Sequence, residues 1–169
     1  NLDEVVKALS ALERTGEPAV PTEPDALIAH ILTRYHTVHR EQLPELIVMA
    51  RRVEAVHKGH PDVPVGLAYL LEDIALYLDS HMTKEETVLF PLLTTGGHAL
   101  ADMPIKVMRM EHTDHGESLE RLLALTNDTI APLGACNTWR ALYAGIDQFR
   151  DDLINHIHLE NNLLFPYFE

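Results

Sequence analysis

Cysteine, basic residues and long apolar runs are all scarce in this 169-residue chain. The single cysteine, Cys136, excludes an intrachain disulfide framework and any cysteine-rich zinc or iron–sulfur site. The 13 basic residues stand against 26 acidic ones, and the net charge of −13 opposes binding to nucleic acid or to an anionic membrane. No apolar run approaches the roughly 20 residues of a membrane span. We therefore expect a cytoplasmic protein that binds neither nucleic acid nor membranes.

Four long segments carry apolar residues at helical spacing, and no alternating pattern typical of strands is found. Stretches rich in Gly and Pro separate the four segments. Long amphipathic helices with short connections pack most simply as an up-down-up-down bundle. The sequence therefore predicts an all-α four-helix bundle, with helices over residues 23–58, 64–93, 104–127 and 136–165.

The first 24 residues differ from the rest of the chain. Residues 2–14 have apolar positions at helical spacing, and the connector GEPAVPTEP that follows cannot continue a helix. The chain begins with Asn rather than Met. We interpret residues 1–24 as the remnant helix and linker of a preceding N-terminal domain, and residues 25–169 as the bundle.

One pattern occurs twice: His, three residues, Glu, four residues, then Phe-Pro. It runs from His81 to Pro91 and again from His156 to Pro166. Residues four apart leave the same face of a helix, so each copy offers a nitrogen and an oxygen ligand side by side. A single pair of this kind is more often a solvated helix face, but two matching copies favour a dinuclear metal site bridged by carboxylates.

Sequence distance from the predicted turns extends this site to all four helices. Residues equally far from a shared turn lie at one level in antiparallel neighbours, because the rise per residue is constant at about 1.5 Å. By this criterion His36 and His112 lie level with the two His-Glu pairs. The predicted metal ligands are His36, His81, Glu85, His112, His156 and Glu160.

The other histidines are less suited to direct ligation. His57 lies roughly 30 Å along the predicted helix from His36, so we leave it out of the metal site. His39 and His115 each follow a predicted ligand by three residues and suit a role beside the metals or in a cavity. The remaining four, assigned to loops, surface or packing, are His30, His60, His98 and His158.

These motifs are similar to those of the hemerythrin-like di-iron proteins, and among them the RIC (repair of iron centres) family. The stretches that carry the resemblance are RYHTVHREQLPEL (34–46), HMTKEETVLFP (81–91), EHTDHGE (111–117), ACNTWRALYAGI (135–146) and HIHLENNLLFP (156–166). The resemblance implies two iron ions, oxo- or hydroxo-bridged when oxidised, with the four histidines as terminal ligands and Glu85 and Glu160 as bridges.

Two departures from the related proteins bear on function. An oxygen-carrying hemerythrin has His-x-x-x-His on its third helix, whereas this chain has Gly116 four residues after His112. RIC-like proteins usually carry an N-terminal domain with adjacent cysteines, which this sequence lacks. The missing imidazole leaves room for exogenous molecules and makes reversible oxygen carriage the less favoured role.

The resemblance implies a stress-response protein that repairs iron–sulfur clusters damaged by nitric oxide or peroxide, by donating its iron. Iron–sulfur proteins would then be transient partners. An enzymatic alternative is reduction of nitric oxide to nitrous oxide at the two irons. A module that binds nitric oxide or dioxygen without turnover is a further alternative. A ferritin-like oxidase ranks lower, because such sites use a Glu-x-x-His spacing and more carboxylates.

Overall fold

A computed structural model describes residues 19–169, apart from the side chain of His98, as four long helices with no strand among the described residues. Helix α1 (residues 24–56) consists of Pro24–Ile31, a π-helical turn Leu32–His36, and Thr37–Val56. Helix α2 (residues 67–94) consists of Leu67–Lys84, a π-helical turn Glu85–Leu89, and Phe90–Thr94. Helix α3 is Asp102–Leu125, preceded by a 3₁₀ turn His98–Leu100. Helix α4 (residues 137–167) consists of Asn137–Leu159, a π-helical turn Glu160–Leu164, and a 3₁₀ turn Phe165–Tyr167.

The predicted all-α bundle is confirmed, with helix ends within three residues of those expected. The start of α1 packs against the ends of α2 and α4, as an up-down-up-down arrangement requires. The predicted helix over residues 2–14 lies outside the described residues, and the division of the chain at residue 24 stays a prediction. Within the described part, no helix is both long and apolar enough to cross a membrane.

The sharp turn between α1 and α2 is fixed by a glycine and a carboxylate. Gly66 precedes α2 with φ of 88°, a left-handed conformation that glycine adopts without steric cost. The Glu54 carboxylate of α1 accepts hydrogen bonds from the backbone N–H groups of Gly66 at 2.6 Å and Ala68 at 3.1 Å. Glu54 thus satisfies N–H groups at the start of α2 that have no partner within the helix.

The bundle core consists of two apolar clusters rather than one. The larger cluster is built around Trp139 and Phe149 and fills the half of the bundle nearest the α1–α2 turn. The smaller cluster includes Ile31 and Phe165 and fills the opposite half. Between them lies a layer of buried polar residues, which comprises His36, His39, His81, Glu85, His112, His115, Asp152, His156 and Glu160.

Three of the four helices change their winding at this polar layer. A π-helical turn ends at His36, and two others begin at Glu85 and at Glu160. Such turns are rare, occur mostly singly within α-helices, and are frequent at functional sites. Their placement indicates that the local helix geometry serves the side chains of this layer.

Candidate metal centre

All six predicted metal ligands lie in the polar layer between the two apolar clusters. Their exposed fractions range from 0% for Glu85 and Glu160 to 4% for His112. Burying ionisable groups in this way is costly unless they are paired or bind a metal ion. The structure therefore brings together the whole predicted set from four separate helices, although their role as ligands stays a prediction.

The ligand atoms form two groups of four that share both glutamates, and within each group the atoms lie within 4.8 Å of one another. Subsite 1 consists of His36, His156 and one oxygen from each of Glu85 and Glu160. The Nε2 atoms of His36 and His156 are 3.2 Å apart. His36 Nε2 lies 3.3 Å from Glu85 Oε2, and His156 Nε2 lies 3.2 Å from Glu160 Oε1.

Subsite 2 consists of His81, His112 and the remaining oxygen of each glutamate. The two Nε2 atoms are again 3.2 Å apart. His81 Nε2 lies 3.4 Å from Glu85 Oε1, and His112 Nε2 lies 3.0 Å from Glu160 Oε2. Each carboxylate therefore directs one oxygen to each subsite, which is the arrangement of a bridging ligand.

The chemistry of this donor set fits a pair of divalent metal ions. Both oxygens of Glu85 and Oε2 of Glu160 are buried without a hydrogen-bond donor among the described residues. Two imidazoles and two carboxylate oxygens per subsite suit iron, manganese or zinc. A metal ion in each subsite would compensate both the buried charge and the missing hydrogen bonds.

Three of the four predicted ligand histidines donate a hydrogen bond from Nδ1 to a neighbouring helix, which leaves Nε2 directed at the polar layer. The acceptors are Glu86 for His36 at 2.8 Å, Glu111 for His81 at 2.8 Å, and Asn161 for His112 at 3.0 Å. Such acceptors fix the orientation and tautomer of a metal-binding imidazole and raise its basicity. The sequence reasoning missed all three, although each is adjacent in sequence to a predicted ligand.

Each acceptor is itself held by a basic residue at the surface of the bundle. The pairs are Arg40 with Glu86, at 2.6 Å, Lys84 with Glu111, and Arg109 with Asn161, at 3.3 Å. The basic side chains hold the acceptors in place, and the acceptors in turn fix the orientation of the imidazoles.

In the metal-free bundle, Glu85 also raises the proton affinity of two imidazoles, those of His36 and His81. Burial by itself would lower the pKa values of His36 and His81. The negative charge of Glu85, whose oxygens lie 3.3 Å from His36 Nε2 and 3.4 Å from His81 Nε2, outweighs burial, so the pKa of His36 is raised and that of His81 reaches about 9. Protons and metal ions therefore compete for these nitrogens.

The opposite balance holds Glu160 ionised. Burial would raise its pKa, but the neighbouring imidazoles of His156 and His112 hold the pKa of this carboxyl well below its usual range. A carboxylate that stays ionised inside the bundle is suited to bind cations.

His39 and His115 are buried beside the predicted ligands but belong to neither subsite. The His39 ring lies 5.4 Å from that of His156, and the His115 ring lies 4.9 Å from that of His81. Burial, together with the nearby imidazoles, lowers the pKa of both to about 3. Both are therefore neutral at physiological pH, in positions that suit the predicted role beside the metals.

His57 lies at the other end of α1, in contact with Cys136 and Trp139. Its Nε2 is 3.1 Å from Cys136 Sγ, and its ring is 4.8 Å from the Trp139 ring. The structure thus places His57 outside both subsites, as the helix length predicts.

Gly116 lies on α3 where an oxygen-carrying hemerythrin has a second histidine. A Cβ atom added at Gly116 would meet nothing within 4 Å, so the missing imidazole leaves open space on α3.

Comparison with known proteins identifies related sequences along most of the chain. Residues 27–168 match the family described as the Hemerythrin HHE cation binding domain. The chain is 46% identical to "Probable iron-sulfur cluster repair protein" of Haemophilus influenzae, over 98% of this chain and 77% of that protein. It is 56% identical to "Iron-sulfur cluster repair protein YtfE" of Pectobacterium atrosepticum, over 83% of this chain and 63% of that protein. The chain thus spans about three quarters of the first relative and less than two thirds of the second.

Proposed function

The chain belongs to the hemerythrin HHE cation-binding family, and from this premise we propose that it is a di-iron protein that repairs damaged iron–sulfur clusters. The repair would follow nitrosative or oxidative stress and proceed by donation of iron in the cytoplasm. The observation that carries this proposal is the pair of four-ligand subsites joined by Glu85 and Glu160. The names of the relatives, which are iron–sulfur cluster repair proteins, support the choice of function.

Each of the two irons would be bound by two histidines and by both glutamates. His36 and His156 would hold one ion, His81 and His112 the other, and the two carboxylates would join them and balance their charge. Bound iron would supply both the ion to be donated and coordination positions for a small molecule such as nitric oxide or dioxygen. Four protein ligands per ion leave positions open in six-coordinate iron.

Release of the metal is favoured by the same groups that take up protons. A ligating imidazole must be neutral at Nε2, whereas in the metal-free bundle the pKa of His81 is raised to about 9. Protonation of His81 therefore replaces a metal ion as the partner of Glu85. This exchange lets the empty site stay paired after its iron has been donated.

Partners of the donated iron would be iron–sulfur proteins that have lost iron from their clusters. Reduction of nitric oxide, or simple binding of nitric oxide or dioxygen, would use the same six residues. The names of the relatives do not favour these alternatives.

Isotope transfer tests the proposal directly. The protein is loaded anaerobically with ⁵⁷Fe(II) and mixed with a [4Fe–4S] protein whose cluster has been damaged by nitric oxide. We expect ⁵⁷Fe in the rebuilt cluster, detected by Mössbauer spectroscopy, and little nitrous oxide in the headspace. Nitrous oxide formed in many turnovers, with no label transferred, would contradict the donor role and support the reductase.

An iron-binding control is needed, because free iron in the mixture could also rebuild a cluster. The Glu160→Ala variant is mixed with the same amount of ⁵⁷Fe(II) and should transfer no more label than iron alone. Equal transfer by this variant would mean that the predicted ligands play no part in delivery.

A further inference from the structure

The two halves of the bundle repeat one another around the metal centre. Helix α1 has His36 and His39 in the stretch HTVH, and α3 has His112 and His115 in the stretch HTDH. Helices α2 and α4 each supply a His and a Glu four residues later. A residue that assists the centre in one half therefore has a counterpart in the other, and the two can be compared.

The residues that contact the outer side of the predicted ligand histidines differ between the two halves. Glu86 and Asn161 each follow a bridging glutamate, and both accept a hydrogen bond from an imidazole Nδ1. Glu111 directly precedes His112 and accepts from His81. Its counterpart is Tyr35, which directly precedes His36.

Tyr35 stacks on His156, whereas its counterpart Glu111 accepts a hydrogen bond. The two rings lie 5.4 Å apart and are nearly parallel, at 6°. The Nδ1 atom of His156 is buried and has no hydrogen-bond partner among the described residues. His156 is thus the one predicted ligand histidine whose outer nitrogen meets no acceptor in the part of the chain that the structure describes.

The two subsites consequently differ in how many of their imidazoles are oriented by a hydrogen-bond acceptor. In subsite 2 both imidazoles are fixed by acceptors, Glu111 and Asn161, whereas in subsite 1 only His36 is fixed, by Glu86. Loss of an acceptor behind a metal-binding histidine typically costs about 10- to 100-fold in metal affinity.

We infer that the two metal ions are held unequally: subsite 1 releases its ion first, and the positioning residues Glu111 and Asn161 retain the ion of subsite 2. Subsite 1 is then the source of the donated iron, and this last step rests on the proposed function. The inequality itself concerns metal binding alone and is tested without an iron–sulfur protein.

Sequential loading with isotopes tests the inference. One equivalent of ⁵⁷Fe(II) is added anaerobically to the metal-free protein, followed by one equivalent of ⁵⁶Fe(II). A ferrous chelator then removes one equivalent, and mass spectrometry of the protein counts the iron that remains. We expect the retained iron to be enriched in ⁵⁷Fe by about twofold for a tenfold affinity difference and about fivefold for a hundredfold one, because each equivalent divides between two sites of unequal affinity. Equal amounts of the two isotopes would overturn the inference.

Variants then assign the retained ion to a subsite. Asn161→Ala removes the acceptor behind His112 and should abolish most of the ⁵⁷Fe excess, whereas Asn161→Asp keeps an acceptor oxygen and should restore it. The matched control is Asn162→Ala, since Asn162 is exposed and contacts His158 rather than a ligand. A ⁵⁷Fe excess unchanged by Asn161→Ala, or abolished equally by Asn162→Ala, would contradict the assignment.

A gain-of-function variant tests the same idea from the other half. Tyr35→Glu places a carboxylate at the position equivalent to Glu111 and should narrow the isotope excess by strengthening subsite 1. Because Tyr35 is buried in the smaller apolar cluster, this variant is examined only if its helical circular dichroism matches that of the parent. If it does not fold, Glu111→Ala with Glu111→Gln as its rescue supplies the second comparison, in subsite 2. A folded Tyr35→Glu protein with an undiminished excess would contradict the role given to this position.

Discussion

Replacing Glu85 by Gln should remove both metal ions while leaving the helices intact. Glu85 is fully buried, and its two oxygens face different subsites, 3.3 Å from His36 Nε2 and 3.4 Å from His81 Nε2. Gln has nearly the same shape but no charge. The substitution therefore tests the charge of the bridge separately from its packing.

The size of the effect follows from the charges involved. Two unit charges 4 Å apart attract by about 4 kcal/mol at an effective dielectric constant of 20, and a divalent ion doubles this to about 8 kcal/mol. If the amide oxygen recovers half, each ion loses about 4 kcal/mol, which weakens binding roughly 1000-fold because 1.4 kcal/mol is tenfold. Both subsites lose this contribution, since Glu85 faces both.

Although metal binding weakens, the thermal stability of the metal-free protein should not fall. In the metal-free bundle Glu85 raises the pKa of His81 to about 9, so at neutral pH the two form a buried ion pair. Without the charge of Glu85 the imidazole of His81 can lose its proton, so the substitution leaves two neutral groups, and replacing a buried ion pair by neutral groups of similar volume is often neutral or stabilising. We expect the metal-free Glu85→Gln protein to unfold at a temperature no lower than that of the metal-free parent.

Anaerobic titration with Fe(II) and thermal unfolding by circular dichroism measure the two effects on the same samples. Glu120→Gln, which changes an exposed carboxylate on α3, is the matched control and should bind two ions. Two ions bound with parental affinity in Glu85→Gln would refute the bridging role. Loss of helix in the metal-free variant would instead mean that Glu85 supports the fold.

Three further predictions concern the histidines. His57→Ala should keep two irons per chain by metal analysis, because His57 contacts Cys136 at the end of α1 and belongs to neither subsite; loss of an iron would contradict this. Metal affinity, measured by titration at several pH values, should fall as pH decreases below about 9, since a proton then occupies His81; a pH-independent affinity would refute it. In the metal-free protein, His39 and His115 have pKa values lowered to about 3, so their stabilising contribution is complete above the unfolded value near 6.5 and is lost as pH falls below it. As pH falls from about 6.5, together they should reduce the free energy of unfolding by about 3 kcal/mol per pH unit, and His115→Gln should halve that slope in urea titrations.

The fold could be predicted because the apolar period, the Gly and Pro breaks and the helix lengths all indicate the same bundle. The π-helical turns at His36, Glu85 and Glu160 could not. Such a turn adds one residue to a helical turn and is stabilised by what its side chains contact across the bundle, which is a tertiary effect.

The convergence of the six candidate ligands could be predicted because two pairs are repeated on single helices and the other two follow from helix level. The acceptors Glu86, Glu111 and Asn161 were missed for a different reason. Each lies beside a ligand in sequence yet contacts a ligand on another helix, so spacing along one helix carries no signal for it. Only the relative rotation of packed helices, which the sequence pattern does not determine, reveals these contacts.

The order of contacts from the centre to solvent explains how a buried polar layer can exist between two apolar clusters. Each supported imidazole contacts an acceptor, and each acceptor contacts a cation such as Arg40 or Lys84 at the surface. The outer pairs are partly exposed, so salt screens them, whereas the imidazole–acceptor bonds beneath are shielded from it. Orientation of the ligands therefore depends little on ionic strength at His36, His81 and His112. At His156 it depends instead on ring stacking with Tyr35, which fixes the plane of the imidazole but leaves its outer nitrogen without an acceptor among the described residues.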